Sequence, residues 1–252
     1  MFPAAGLETI VLAAFLAFCR IGACFMLMPG LSSVRVPVNV RLFVAVAVSL
    51  ALLAHLWDQI APFVDRRPGV LLPLIFSELM TGAVIGLVAR FYVLALQFMG
   101  SAIAMMSGFS GMPGAGIDEP DPQSSVGSMI SLTALLLLFI FDFHHQLLAA
   151  LVNSYRVVPV NMLFDPRSAL TDLADTISES FLIVLRLGSP FIAYAILVNL
   201  AAGFINKLSP QIPVYFISMP FVIVGALILM YFSFPIMLSL FAHGFAAVTI
   251  AR

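Results

Sequence analysis

Few residues in this 252-residue chain have side chains that could do chemistry, and spacing decides which of them to pursue. Ser110 stands in Gly108-Phe109-Ser110-Gly111, where a serine becomes a nucleophile only if an imidazole lies within hydrogen-bond reach, and His243 would have to supply it. That segment runs into an acidic, proline-rich stretch rather than opening an apolar helix, which weighs against the pair. Asp142, His144 and His145 are metal-ligating types, but neighbouring histidines on a helix point to different faces and a ligand pair wants a spacing of three or four. The spacing therefore argues against a metal. Cys19 and Cys24 also face apart and read as small buried hydrophobes. No phosphate-binding glycine loop and no dinucleotide fingerprint occurs, and no cofactor is expected.

A second group stands out by position. Arg20, Glu78, Arg90, Asp142 and Arg186 fall inside otherwise apolar stretches. Each would cost about 2.5–3.5 kcal/mol at a bilayer centre, so they must face protein, a partner or water. Glu78 and Arg90 cannot pair along one helix, because their separation corresponds to about 18 Å of rise. Structural pairing with other helices or chains fits better than an ion relay, since acids and bases do not recur along one face.

The elements that position these residues follow from composition. The chain is 62% apolar and 9% charged, against about 45–50% and about 25% in soluble domains. It has room for about six or seven membrane spans of about 20 residues. Its net charge of −1 offers no basic field for nucleic acid. No Lys or Arg precedes the first apolar run, so that run is expected to be retained rather than cleaved as a leader.

Turn signals divide the chain into apolar blocks at about 10–28, 42–57, 71–106, 128–152, 170–205 and 214–250. As one helix the third block would extend about 54 Å, against a hydrocarbon core of about 30 Å. The last two blocks are also overlong, with Pro190, Pro220 and Pro235 as expected kinks or breaks. Either such blocks hold two halves or they are not simple spans. Counted on six spans, loop Lys and Arg number three on one side (Arg35, Arg41, Lys207) and five on the other (Arg66, Arg67, Arg156, Arg167, Arg252), which sets no orientation. Gly82 and Gly86, continued at Gly100, Ala104 and Gly108, suit close helix packing, within the chain or between subunits. Between the third and fourth blocks, Gly108–Ser128 holds five Gly, three Pro and three acids without a base. It is expected to be a flexible loop, neither helix nor strand. Met105, Met106, Met112 and Met129 flank it and suit ordinary apolar packing.

Taken in order, these motifs resemble the FliR family. Arg20-Ile21-Gly22, Pro29 and Val36-Pro37-x-x-x-Arg41 match its start, and Glu78, Gly82 and Gly86 its third apolar block. Asp142–Pro159 (DFHHQLLAALVNSYRVVP) matches at His144, Ser154, Tyr155 and Pro159. The fullest match is NLAAGFINKLSPQIPVYFISMPFVIVG, with Asn199, Gly203, Pro210, Gln211, Pro220 and Gly225 in family order. Phe143 replaces a usual Gly, Lys207 a usual Arg, and Asp121-Pro122 is displaced from the family's Asp-Pro.

The resemblance implies an all-α integral membrane bundle of long, kinked apolar helices, residues 1–252 as one domain, in a helical hetero-oligomeric pore complex. Its implied role is a non-enzymatic subunit of the bacterial type III export gate of the flagellar basal body, in the inner membrane. FliP-like and FliQ-like subunits, FlhB-like and FlhA-like proteins, lipid and unfolded substrates are the implied partners. The loop would plug the channel, through Gly108, Gly111, Pro113, Gly114, Gly116, Asp118, Pro120, Asp121 and Pro122. Arg20, Arg41, Glu78, Gly82, Gly86, Arg90, His144, Arg186, Asn199, Gly203, Lys207, Pro210, Gln211 and Pro220 would serve helix packing or subunit contact. Rival readings are an injectisome-type gate subunit, a stand-alone transporter, or a rhomboid-like protease using Ser110 and His243.

Overall fold

A computed structural model describes residues 6–33, 36–108, 113–114, 123–211 and 213–250. Seven helices run through them: α1 (Leu7–Leu27), α2 (Val38–Ile60, extended by a short 3₁₀ turn at Ala61–Phe63), α3 (Pro68–Met106), α4 (Ser125–Ile140), α5 (Phe143–Val157), α6 (Pro166–Leu208) and α7 (Val214–Ile250). The protein is an all-α integral membrane protein. Five stretches, Leu7–Leu27, Val38–Phe63, Pro68–Met106, Pro166–Leu208 and Phe216–Met237, are long and apolar enough to cross a bilayer.

Local chemistry sets the boundaries. α1 stops because Met28 precedes Pro29 and takes an extended ψ of 144°. Gly30, at φ 87°, then turns the chain. Arg41 ties that turn down from α2, donating from Nε to the Val36 carbonyl at 3.1 Å and from Nη2 to the carbonyls of Val36 and Ser33. α3 and α6 both start on a proline, which suits a first turn that needs no N–H donor. Before α6, the Asp165 carboxylate accepts the Arg167 N–H at 3.0 Å.

Four expectations need correcting. The overlong blocks are not pairs of half-helices: Pro73, Pro190, Pro220 and Pro235 lie inside continuous helices, and none ends its helix. The fourth block is two helices, broken where Asp142 adopts φ 55°, ψ 35°. The loop is shorter than 108–128, because α4 has begun by Ser125. Its ends also pair, as two-residue strands β1 (Pro113–Gly114) and β2 (Gln123–Ser124), antiparallel with Pro113 opposite Ser124.

The chain divides into two compact units: one takes the described residues of Met1–Phe91, Asp142–Ile177 and Ala246–Arg252, the other Tyr92–Phe141 and Ser178–Phe245. In the first, Ala13, Leu16 and Ala17 of α1 pack with Leu53, Leu56, Trp57 and Ile60 of α2, with Leu74 of α3, and with Tyr155 and Val160. In the second, Tyr92, Leu96 and Ile103 of α3, Ile130 of α4, and Val184, Leu187 and Phe191 of α6 are buried. Gly188 there faces the Met99 side chain, and Gly225 faces Tyr194, whose hydroxyl donates to the Val222 carbonyl at 3.0 Å.

Candidate functional site

The most strongly determined polar constellation lies in the first unit. Arg20 of α1 and Glu78 of α3 are 1% and 0% exposed. Their contact is bidentate: Nε donates to Oε2 and Nη2 to Oε1, both at 2.7 Å. Paired N–H···O⁻ bonds are the strong form of this interaction, and a buried charge needs every donor answered. Here Nη1 donates to Ser154 Oγ at 3.1 Å and Nη2 to the Val158 carbonyl at 3.0 Å. The guanidinium carbon lies 3.9 Å from the centre of the Tyr155 ring, within cation–π range. Burial, and then the Glu78 charge, pushes the Tyr155 hydroxyl upward from its ordinary pKa, which keeps it neutral.

Glycines bring the two backbones together. A Cβ on Gly82 would collide with the Arg20 carbonyl, and one on Gly86 would lie 2.7 Å from the Cys24 carbonyl. The glycine pair therefore packs α3 onto α1 of the same chain. Arg20, Glu78, Gly82 and Gly86 form one joint, closed from the far side by Ser154 and Tyr155. Beside it opens a mostly apolar cavity of about 400 Å³ lined by Thr81, Ile85, Ser154, Val158, Asp172 and Thr176 among others.

The other expected residues do not join this cluster. Arg90 is half-buried on α3 and Arg186 exposed on α6. Neither they nor Lys207 form an ion pair among the described residues. Asp142, expected inside an apolar block, is 70% exposed at its side chain, a consequence of the α4–α5 break. His144 lies beside it rather than at the joint: its Nε2 is 3.9 Å from Asp142 Oδ1. Asn199 donates to the Ala195 carbonyl of its own helix at 2.8 Å, and Gly203 has open space where a Cβ would stand. Lys207, Pro210, Gln211 and Pro220 are exposed.

In the second unit, Met105, Met106, Gly108, Asn199, Phe216 and Met219 line a separate open groove of about 560 Å³. Gly108 carries the positive φ of 78° that ends α3. Pro113 and Gly114 form β1. Ser110, Gly111, Gly116, Asp118, Pro120, Asp121 and Pro122 lie outside the described residues, as does the His243 side chain. Ser154, Tyr155 and the Val158 carbonyl are the residues that single-position reasoning passed over. Their only signal was their place in the Ser-Tyr…Pro part of the resemblance.

Fold and joint together define a helical, multi-pass membrane protein organised around a buried arginine–glutamate pair. Residues 11–248 match the family described as "Bacterial export proteins, family 1", and the chain belongs to that family. It is similar to the flagellar biosynthetic protein FliR of Caulobacter vibrioides, 27% identical over 220 residues that make up 87% of each chain. Over 222 residues it is 28% identical to that of Bacillus subtilis, covering 85% of this chain and 83% of the relative. With that of Escherichia coli K12 the identity is 25% over 240 residues, 93% and 88% of the two chains.

Proposed function

We propose that this protein is a membrane subunit of the bacterial type III protein-export gate of the flagellar kind, helping to form and gate the conduit for unfolded flagellar proteins. The reading rests on membership of the export-protein family over nearly the whole chain, with relatives that all carry a flagellar name. That name favours the flagellar assignment over an injectisome. The protein performs no bond-breaking chemistry. It resides in the bacterial inner membrane as part of the basal body, as one membrane domain beside FliP-like and FliQ-like subunits and FlhB-like and FlhA-like proteins. Arg20 and Glu78 hold its helices in register while the loop after Gly108 occludes the channel at rest.

The paired ends of that loop support the gating role. A stopper must move aside for a passing chain, so it needs low local stability on a firm base. The Pro113–Gly114 and Gln123–Ser124 rungs supply the base. Replacing residues 115–122 with Gly-Gly leaves a two-residue hairpin loop on those rungs. In the assembled complex this variant should raise small-ion conductance while export of flagellar protein continues. Unchanged conductance in a complex that still assembles would refute the plug.

A further inference from the structure

We propose that Asp142, His144 and His145 form a surface site for a divalent transition metal of the zinc class, at the junction of α4 and α5. His144 and His145 are neighbours on α5 and diverge on spacing alone, but Asp142 precedes that helix and the three ligand atoms converge. Asp142 is in the left-handed region, the sole non-glycine with positive φ among the described residues, and α5 starts after it. Its main-chain carbonyl accepts the N–H groups of His145 (2.9 Å) and Gln146 (3.1 Å). Its carboxylate makes no capping bond to the helix, although capping is the ordinary task of an Asp in that place. Instead the carboxylate turns toward the imidazoles.

The distances fit a chelate. Asp142 Oδ1 lies 3.5 Å from His145 Nδ1 and 3.9 Å from His144 Nε2. All three ligand atoms lie within 4.8 Å of one another. Bonds of about 2.0–2.1 Å in a tetrahedron place ligand atoms about 3.3 Å apart, so small side-chain rotations close the set on an ion. Using the near nitrogen of one ring and the far nitrogen of the other offsets the divergence of adjacent helical residues. The two rings already stand 4.2 Å apart. Two neutral imidazoles and one carboxylate are the borderline-soft donor set that selects zinc, copper or nickel over calcium or magnesium. With side-chain exposures of 43–71% the ion can reach the site from solvent, and a fourth position stays open to water. Bound metal would tie the turn residue Asp142 to the first turn of α5.

The test uses the full-length chain purified in detergent, with affinity tag removed and metal stripped. Equilibrium dialysis against Zn²⁺ should give one ion per chain at micromolar concentration, and Co²⁺ should develop the visible absorption of a tetrahedral site. Asp142→Asn and His145→Ala should each weaken Zn²⁺ binding tenfold or more, whereas His55→Ala, at a histidine outside the cluster, should leave it unchanged. Size-exclusion profiles matching the parent protein establish that the variants are folded. The proposal is overturned if the parent chain takes up no stoichiometric Zn²⁺ at 100-fold excess over protein, or if the His144→Ala/His145→Ala double variant binds as well as the parent.

Discussion

Arg20 is the residue on which the first unit is hardest to vary. It is a full charge at 1% exposure whose partners come from α3, from α5 and from the segment after it. Removing one member of a buried pair strands the other, at a cost of about 3–5 kcal/mol. Glu78→Ala should therefore lower the melting temperature sharply or abolish recovery of monodisperse protein in detergent. Replacing both partners with apolar residues strands no charge. The Arg20→Met/Glu78→Leu double variant should melt above the Glu78→Ala single, and a double that melts lower would count against a stranded charge as the main cause of the loss. The need for a partner was legible in the sequence, because a carboxylate in an apolar helix cannot stand alone. The partner's identity was not, because it lies 58 positions away and only the packing of α1 on α3 selects Arg20 over the other arginines outside α3. A related limit applies at Asp142: the spacing of His144 and His145 along α5 does not reveal that the carboxylate just before the helix approaches both rings.

At the scale of elements, small residues matter by where their missing side chains would go. Gly82 and Gly203 each look replaceable by alanine on propensity grounds, with a gain of up to about 1 kcal/mol per site. Their surroundings differ. A methyl group at Gly82 meets the Arg20 main-chain carbonyl, which cannot move without α1, whereas nothing lies within 4 Å at Gly203. Gly82→Ala should thus destabilise by about 1–3 kcal/mol, the usual cost of overpacking, and Gly203→Ala should be neutral or mildly stabilising. Thermal melts of the two variants in one detergent decide this, and equal shifts would count against the α1–α3 joint. Long apolar runs made helix existence easy to read. Helix ends were harder, because proline inside a helix and proline before one look alike in sequence: Pro166 opens α6 while Pro190 passes unnoticed within it. The break at Asp142 left no glycine or proline to announce it.

For the whole molecule, length and surface pose one problem. α3, with 39 residues, and α6, with 43, extend about 58 and 64 Å. A core of about 30 Å crossed at a steep 40° tilt accommodates only about 40 Å of helix. The remainder needs cover other than lipid. Exposed apolar side chains alone do not decide between lipid and protein cover: Phe216, Phe221 and Tyr231 of α7 are 81%, 74% and 76% exposed on a stretch long enough to cross a bilayer. Arg186 sharpens the case, being exposed on α6 near Phe181, Leu182 and Leu185, which are also exposed. Facing lipid at mid-depth it would cost about 2.5–3.5 kcal/mol, whereas facing a carboxylate on a neighbouring subunit it would be favourable. Arg186→Glu should then leave the melting temperature of the isolated chain within about 0.5 kcal/mol equivalent of the parent, as for other exposed substitutions. Its recovery in the co-purified gate complex should fall at least tenfold, and Arg186→Lys, which keeps the charge, should retain most of it. An Arg186→Glu chain that assembles as well as the parent would mean that this arginine faces water, and the partner-facing side of α6 would have to be sought on another face.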